Sequence, residues 1–260
     1  MTFTYRNRRL ETRWIPGDAA APTLVLLHEG LGSVSLWRDF PDRLAAATGA
    51  PVLVYSRLGY GRSDPAPEPF DMDFMHREAL EVLPAVLDHF GIAEPILVGH
   101  SDGGSIALIH AGKSGRPVKA LMLEAPHVFV EEETLVGIRA ADQVWATTDL
   151  RERLGRHHTD PEHTFSLWRD IWLDPRFPQW NIEDVLPGIT APTLLIQGEE
   201  DEYGTPAQVK AVAAQVSGPA ELLLLPNCKH SPHRDQLEAV LGAMADFVKR
   251  VAAEAAAARA

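Results

Sequence analysis

Cysteine is almost missing from this chain, since Cys228 is the only one among 260 residues. A single cysteine can form neither a disulfide within the chain nor a cysteine-rich metal site. Long apolar runs are missing too, because no stretch approaches the roughly 20 residues of a membrane-spanning helix. The N-terminal residues carry arginines without the apolar run of a signal peptide, so we expect a cytoplasmic protein.

The chain also has fewer basic than acidic residues. The chain has 24 Lys and Arg against 36 Asp and Glu, which gives a net charge of −12. Binding to phosphates requires a basic surface, so this balance argues against nucleic acid and against anionic membranes as partners. The hydrophobic share of 45% is ordinary for a soluble globular protein, and the length suits one large α/β domain or two small ones.

The apolar residues are grouped into short segments, most of them entered or left through Gly or Pro. These segments are 23–28, 51–56, 95–100, 118–124, 193–198 and 221–226. Runs that are apolar on both faces, separated by helical patterns, predict a mostly parallel sheet with helices on both faces. The opening segment alternates polar and apolar residues, which predicts an antiparallel hairpin at the sheet edge.

This spacing is interrupted once, between the strands predicted near 124 and 193. The interval is rich in amphipathic helical patterns and holds four of the six Trp: Trp145, Trp168, Trp172 and Trp180. We interpret residues 127–186 as a helical cap inserted into a core formed by residues 1–126 and 187–260. The sheet pattern resumes after the insert, which argues against a separate domain in tandem.

Residues 99–103 read GHSDG and match the pattern G-x-S-x-G with Ser101 at its centre. The pattern follows a predicted strand and precedes a predicted helix, the context in which it marks a nucleophile elbow. Gly99 and Gly103 remove side chains that would collide with the adjacent strand and helix. A serine that only caps the helix is the alternative, and the strand before it favours the nucleophile.

A serine nucleophile needs a base, and in elbow enzymes an acid and then a histidine follow the serine along the chain. The loop EEDE after segment 193–198 offers Asp201 as the acid, with Glu200 as the alternative. The loop after the last strand offers two histidines. His230 is the predicted base, while His233, at the start of the final helix, is expected to make a structural hydrogen bond.

Attack on an acyl carbon places negative charge on oxygen, which backbone N–H groups can stabilise. The N–H of Asp102, directly after the nucleophile, is one predicted donor. The second donor is expected in the glycine-rich loop HEGLGS, residues 28–33, with Gly30 favoured and Leu31 as the alternative.

Taken together, the motifs HEGLGS, YGRSD, GHSDGG, GEEDEYGTP and NCKHSPH resemble the α/β-hydrolase superfamily over nearly the full chain. The resemblance implies an α/β fold with a mostly parallel eight-stranded sheet and a helical cap inserted after the sixth strand. It also implies a catalytic triad of Ser101, Asp201 and His230, and no cofactor.

One residue departs from the superfamily pattern, because Glu29 stands where relatives usually have glycine. A carboxylate there would oppose the charge that develops in the oxyanion hole unless it is neutralised, and Arg57 is the predicted ion-pair partner. No metal site is predicted, because the histidine-rich segment 157–163 is interpreted as a loop. The side chains predicted to line the substrate pocket are His28, Glu29, Leu31, Arg57, Trp145, Trp168 and Trp172.

These features predict a serine hydrolase, esterase-like, that cleaves a carboxylic ester, lactone or thioester through an acyl-enzyme. Its partner would be a small acyl substrate, and the chain would be a monomer or a homodimer. Two alternatives stay open: a hydrolase of carbon–carbon bonds in ring-cleavage diketones, which could use Arg139, Arg151, Arg153 or Arg169, and a ligand receptor of the same fold with little turnover.

Overall fold

The computed structural model describes residues 2–67 and 69–257. Within this part of the chain, eight strands form one sheet in the spatial order β1-β2-β4-β3-β5-β6-β7-β8. The strands are β1 Thr2–Tyr5, β2 Arg8–Ile15, β3 Leu24–Leu27, β4 Val52–Tyr55, β5 Ile96–His100, β6 Ala120–Glu124, β7 Thr193–Gly198 and β8 Ala220–Leu225.

The sheet is parallel except at one edge. Strand β1 pairs with β2, and β2 with β4, in antiparallel fashion, while the pairs from β4 through β8 are all parallel. Each predicted apolar segment overlaps one of the parallel strands, and the alternating opening segment forms the antiparallel hairpin. The predicted fold class is therefore confirmed. Parallel strands bring their carboxyl ends to one edge of a sheet, where ligand sites of α/β proteins usually lie.

Ten helical segments flank or cover this sheet in the described residues, together with a π-helical stretch at Glu78–Val82 and 3₁₀ turns at Phe177–Gln179 and Glu183–Gly188. The α-helices are α1 Phe40–Thr48, α2 Phe74–Arg77, α3 Leu83–His89, α4 Asp102–Lys113, α5 Glu132–Thr147, α6 Leu150–Gly155, α7 Pro161–Trp172, α8 Ala207–Gln215, α9 Pro232–Asp235 and α10 Leu237–Ala257.

The apolar core lies on both faces of the sheet. Along β3, Leu24 and Leu26 pack in the cluster that includes α1 and α10, whereas Val25 and Leu27 pack in the cluster that includes α2 to α4. Successive strand residues point to opposite faces, so a strand buried on both sides must be apolar at every position. This is why the inner parallel strands β3 to β7 appear as continuous apolar runs in the sequence, whereas β8, at the sheet edge, is apolar but partly exposed.

Helices α5, α6 and α7 and both 3₁₀ turns fall between β6 and β7. All of them begin inside the interval 127–186 predicted as the cap, and the second 3₁₀ turn ends two residues beyond it, at Gly188. The helical character of this insert agrees with the predicted fold class, while its exact boundaries as a domain stay a prediction. Among the described helices, none combines the length and apolarity needed to cross a membrane.

Helix α4 lies unusually close to the sheet at its first turn. A Cβ placed on Gly103 would overlap the main chain of Leu27 in β3. A Cβ placed on Gly99 would lie 2.5 Å from the carbonyl oxygen of Gly103. The glycines of GHSDG therefore permit a strand, a turn and a helix to pack with their backbones in contact.

We expect Gly103→Ala to lower the free energy of unfolding by about 1–3 kcal/mol, because the added methyl group must displace backbone. Gly242→Ala is the matched control. Gly242 is exposed in the interior of α10 and a Cβ there meets no atom within 4 Å, so this change should stabilise the protein by up to about 1 kcal/mol. Urea unfolding measures both, and equal effects would contradict the close approach.

Candidate active site

Ser101 occupies the turn between β5 and α4 with a φ of 53° and a ψ of −120°. A positive φ is strained for a residue that has a Cβ, and it persists only where neighbouring structure enforces it. The N–H of Ser101 donates to the carbonyl oxygen of Glu124 in β6 at 2.9 Å, and the N–H of Gly104 donates to the carbonyl oxygen of Ser101 at 2.8 Å. Hydrogen bonds on both sides thus hold the serine in its strained conformation.

His230 and Asp201 form a hydrogen-bonded pair on the loops after β8 and β7. The His230 Nδ1 lies 2.8 Å from Oδ2 and 2.9 Å from Oδ1 of Asp201. Because an ionised carboxylate can only accept, Nδ1 carries the proton and donates. This tautomer leaves Nε2 as the ring nitrogen able to accept a proton.

The carboxylate of Asp201 is fixed by further donors. Its oxygens accept hydrogen bonds from Nε2 of Gln197 at 2.7 Å and from the N–H of Tyr203 at 2.8 Å. Burial alone would raise the pKa of Asp201, but the charge and hydrogen bond of His230 and the Tyr203 N–H outweigh it and hold the pKa below its usual value. Asp201 therefore stays ionised and acceptor-only, as an orienting acid requires.

Ser101 and His230 line one cavity of about 100 Å³ at the carboxyl edge of the sheet. Four of the predicted pocket residues line it as well, namely Glu29, Leu31, Trp168 and Trp172. Gly30 and Asp102, the predicted oxyanion donors, also contribute to its wall. The residues proposed for nucleophile, base and oxyanion hole thus share a single small chamber.

The alternative acid and base lie in different surroundings. His233 is buried beneath the site, where its N–H and Nδ1 lie 2.8 Å and 3.0 Å from Oε2 of Glu124. These contacts with Glu124 are structural hydrogen bonds of the kind expected for His233. Glu200 is exposed to solvent. Neither residue lines the cavity that contains Ser101.

The loop that carries Gly30 is anchored by the cap. Nε2 of His158 lies 3.0 Å from the carbonyl oxygen of Leu31, while its Nδ1 accepts from the N–H of Gly61 at 2.9 Å. Burial lowers the pKa of His158 to about 4, so the ring is neutral and can play both roles. A Cβ on Gly30 would overlap Trp168 of α7, so glycine lets the cap close on this loop.

The ion pair predicted between the side chains of Glu29 and Arg57 is wrong, although both lie in the described part of the chain. Nη2 of Arg57 donates to the main-chain carbonyl oxygen of Glu29 at 3.0 Å and lies 3.5 Å from Oδ2 of Asp102. The Glu29 carboxylate instead faces Arg234 at 3.3 Å and His100 at 3.6 Å. The contact with Arg234 could not be predicted from the sequence, because Arg234 lies on α9, 205 residues further along the chain.

Three predicted pocket residues, His28, Arg57 and Trp145, are not among those that line the cavity. His28 supports the loop from behind, since its Nε2 accepts from the N–H of Arg57 at 3.1 Å and its Nδ1 donates to the carbonyl oxygen of Glu29 at 2.7 Å. Trp145 stacks on Phe165 with ring centroids 4.2 Å apart. These side chains support residues near the cavity but do not line it.

The sequence analysis missed four residues that line the cavity: His127, Thr134, Ile138 and Tyr203. The carbonyl oxygen of Tyr203 accepts from Oγ1 of Thr134 at 2.6 Å and from Nε2 of His127 at 2.9 Å. Burial lowers the pKa of His127 to about 4, so its ring is neutral. Asp201 was predicted because it follows the carboxyl end of a strand, β7. His127 likewise follows the carboxyl end of β6, so the same criterion could have identified it.

A larger cavity of about 490 Å³ lies elsewhere, between the β1–β2 hairpin and α2. Its wall includes Tyr5, Phe70 and Phe74 but neither Ser101 nor His230. Size alone therefore does not locate the chemistry, which follows the placement of the reactive side chains.

Comparison with known proteins agrees with this geometry. Residues 22–167, more than half of the chain, match the family model described as the alpha/beta hydrolase fold. The chain belongs to the alpha/beta hydrolase fold family. A second, shorter match covers residues 179–259 of the chain and is described as PhoPQ-activated pathogenicity-related protein.

Among curated proteins, the chain is similar to the serine hydrolase BPHL of Homo sapiens, with 26% identity over 191 residues, and to that of Mus musculus, with 30% over 190. Each match covers 70% of this chain and 64% of the relative's own length.

Many solved structures share the fold of this chain, and two serve as examples. The enol-lactonase from Burkholderia xenovorans LB400 superposes with a TM-score of 0.75 at 23% identity, over 96% of this chain and 100% of that one. VinJ superposes with a TM-score of 0.70 at 26% identity, over 96% and 98% of the two chains.

Replacement of the acid by its amide tests the role of the Asp201 carboxylate. Asp201→Asn should lower kcat for an ester by on the order of a thousandfold or more, because an amide can donate to Nδ1 and favour the wrong tautomer of His230. Glu200→Gln, one position away and exposed, is the control and should change kcat less than about twofold, as surface changes do. Stopped-flow or steady-state kinetics measures both, and similar losses in the two variants would contradict the assignment.

Proposed function

We propose that this protein is a serine esterase-like hydrolase that cleaves a carboxylic ester, lactone or thioester through an acyl-enzyme. The observation that carries the proposal is the His230–Asp201 pair, bonded at 2.8 Å, with its ring in the cavity that Ser101 also lines. The similarity to a relative named as a serine hydrolase supports a serine nucleophile.

In the first half of the proposed reaction, Oγ of Ser101 attacks the acyl carbon while Nε2 of His230 takes its proton. The tetrahedral oxyanion accepts hydrogen bonds from the backbone N–H groups of Asp102 and Gly30. When the intermediate collapses, the bond to the leaving alcohol or thiol breaks, and His230 gives that group its proton. Ser101 then carries the acyl group.

In the second half, His230 removes a proton from water, which attacks the acyl carbon of the acyl-enzyme. The bond to Oγ breaks, Ser101 regains the proton, and a carboxylic acid leaves. Asp201 stays ionised throughout and holds the imidazole in its productive tautomer.

The cavity supports a small acyl group as the substrate's acid part. Its volume of about 100 Å³ is well below the 300–1,000 Å³ typical of sites for larger ligands. Trp168, Trp172 and Ile138 supply apolar walls around Ser101. Such walls suit a short aliphatic acyl chain, which gains from burial but has little room to extend.

Cleavage of a carbon–carbon bond receives less support from the cap. The four arginines that could have held a diketone each pair with a carboxylate of the cap itself: Arg139 with Glu132, Arg151 with Glu162, Arg153 with Asp149, and Arg169 with Asp142. They are absent from the wall of the cavity that holds Ser101.

A substrate panel tests the proposed reaction. Turnover of p-nitrophenyl acetate and of the corresponding thioester, abolished in Ser101→Ala, is the expected result. Turnover of a vinylogous diketone with no ester activity would favour the carbon–carbon hydrolase. Ligand-dependent melting shifts without turnover of any substrate would favour the receptor.

The length of the acyl chain tests the small-acyl assignment. The p-nitrophenyl acetate ester should have a kcat/KM about tenfold or more above that of the octanoate, since pocket contacts discriminate at this level per added group. Ile138→Ala should reduce the ratio of kcat/KM between the acetate and the octanoate, because the smaller side chain enlarges the cavity. Val136→Ala, on the same helix but 55% exposed, should leave it unchanged, and an equal effect of both variants would contradict the assignment.

A further inference from the structure

The side chain of Glu29 contacts both α9 and the end of β5, the strand that precedes Ser101. Its Oε1 lies 3.3 Å from Nη2 of Arg234 on α9, and its Oε2 lies 3.6 Å from Nδ1 of His100 at the end of β5. Its side chain is only 17% exposed and lines the cavity next to Ser101. The carboxylate is therefore a largely buried bridge from the loop after β3 to α9 and β5, and not a solvated surface charge.

His100 connects Glu29 to the main chain of His230, the proposed base. The ring is fully buried, and its Nε2 lies 2.6 Å from the main-chain carbonyl oxygen of His230. A carbonyl oxygen can only accept, so Nε2 must carry a proton. Nδ1 faces the carboxylate of Glu29, which is also an acceptor. The 3.6 Å contact is too long for a hydrogen bond but lies within the range of an ion pair. An imidazole between two acceptors is attracted to both only in its doubly protonated form.

The groups that surround His100 favour the positive charge. Burial lowers the pKa of His100, but Glu29 and Glu124 outweigh it and leave the pKa above its usual value. The rings of His230 and His233 also face His100, each with centroids 5.1 Å away. His230 contacts Asp201 and His233 contacts Glu124. The carboxylate of Glu29 therefore interacts with His100 and Arg234.

We propose that Glu29 and His100 are positioning residues: a largely buried carboxylate–imidazolium pair that holds the main chain of His230 in place beside Ser101. The inference rests on the proposed function, since it gives this pair a part in the same site. It also explains how a carboxylate is tolerated beside Gly30, because His100 and Arg234 cancel its charge near the developing oxyanion.

The first test reads the protonation of His100 directly. Long-range ¹H–¹⁵N NMR of the full chain should show both ring nitrogens of His100 protonated at neutral pH. In Glu29→Gln, the Nδ1 signal should move to that of an unprotonated nitrogen while Nε2 keeps its proton. A single ring proton in the wild type overturns the inference.

The second test is the pH profile of kcat with p-nitrophenyl acetate. In the wild type, loss of the second proton leaves a lone pair of His100 facing an acceptor, so kcat should fall on the alkaline side. In Glu29→Gln, the amide can donate to Nδ1 of the neutral ring, so this alkaline limb should be lost while KM changes little. Tyr203 and Cys228, whose pKa values burial raises to about 12, do not account for the limb.

Two variants serve as controls. Glu29→Asp keeps the charge and should retain the doubly protonated ring. Glu238→Gln removes a carboxylate from an exposed ion pair with Arg43 and should leave both readouts as in the wild type. An alkaline limb that persists unchanged in Glu29→Gln overturns the inference.

The two readouts separate this inference from the proposed function. If no acyl substrate is turned over, the proposed function fails, yet the NMR spectra still establish or overturn the charged pair. If esters are hydrolysed but His100 carries one proton, the function stands and the positioning role is wrong.

Discussion

A φ of 53° at Ser101 persists only because β5, β6 and α4 hold the turn from three sides. The close packing of α4 on β3 requires the glycines on either side of the serine, since added Cβ atoms would overlap backbone. The same turn presents the first N–H groups of α4 at the carboxyl edge of the sheet. The strain at one residue thus places both a hydroxyl group and a backbone donor in the cavity.

The parallel sheet brings the remaining groups to that turn. Strand β3 lies beside β5, β7 lies beside β6, and β8 lies beside β7, all in parallel. The loops that follow these three strands therefore bring Gly30, Asp201 and His230 to one edge of the sheet. The cap closes the chamber from above, with Trp168 packed where Gly30 has no side chain. Each carboxylate of the site has a nitrogen partner: Asp201 accepts from the imidazole of His230, Asp102 lies beside the guanidinium of Arg57, and Glu29 lies beside His100 and Arg234. Such pairing lets several buried charges coexist in a small volume.

The sequence foretold the strands and the elbow because these depend on local patterns: apolar runs, glycines around Ser101, and acidic or histidine-bearing loops after strands. The contacts of Glu29 could not be foretold. Its neighbour Arg57 is close in the fold but aims its guanidinium at Asp102 and at a main-chain oxygen, while Arg234 lies 205 residues away in the chain. Thr134 and Ile138 were missed for a similar reason, because the face of α5 that meets the cavity is set by how the cap docks.

The most direct measurement of the central claim is active-site labelling with a fluorophosphonate, followed by mass spectrometry of the peptides. The account predicts one adduct, on Ser101, that forms far more slowly in His230→Ala and is absent from Ser101→Ala. An adduct on another residue, or labelling at an undiminished rate without the His230 ring, would contradict it.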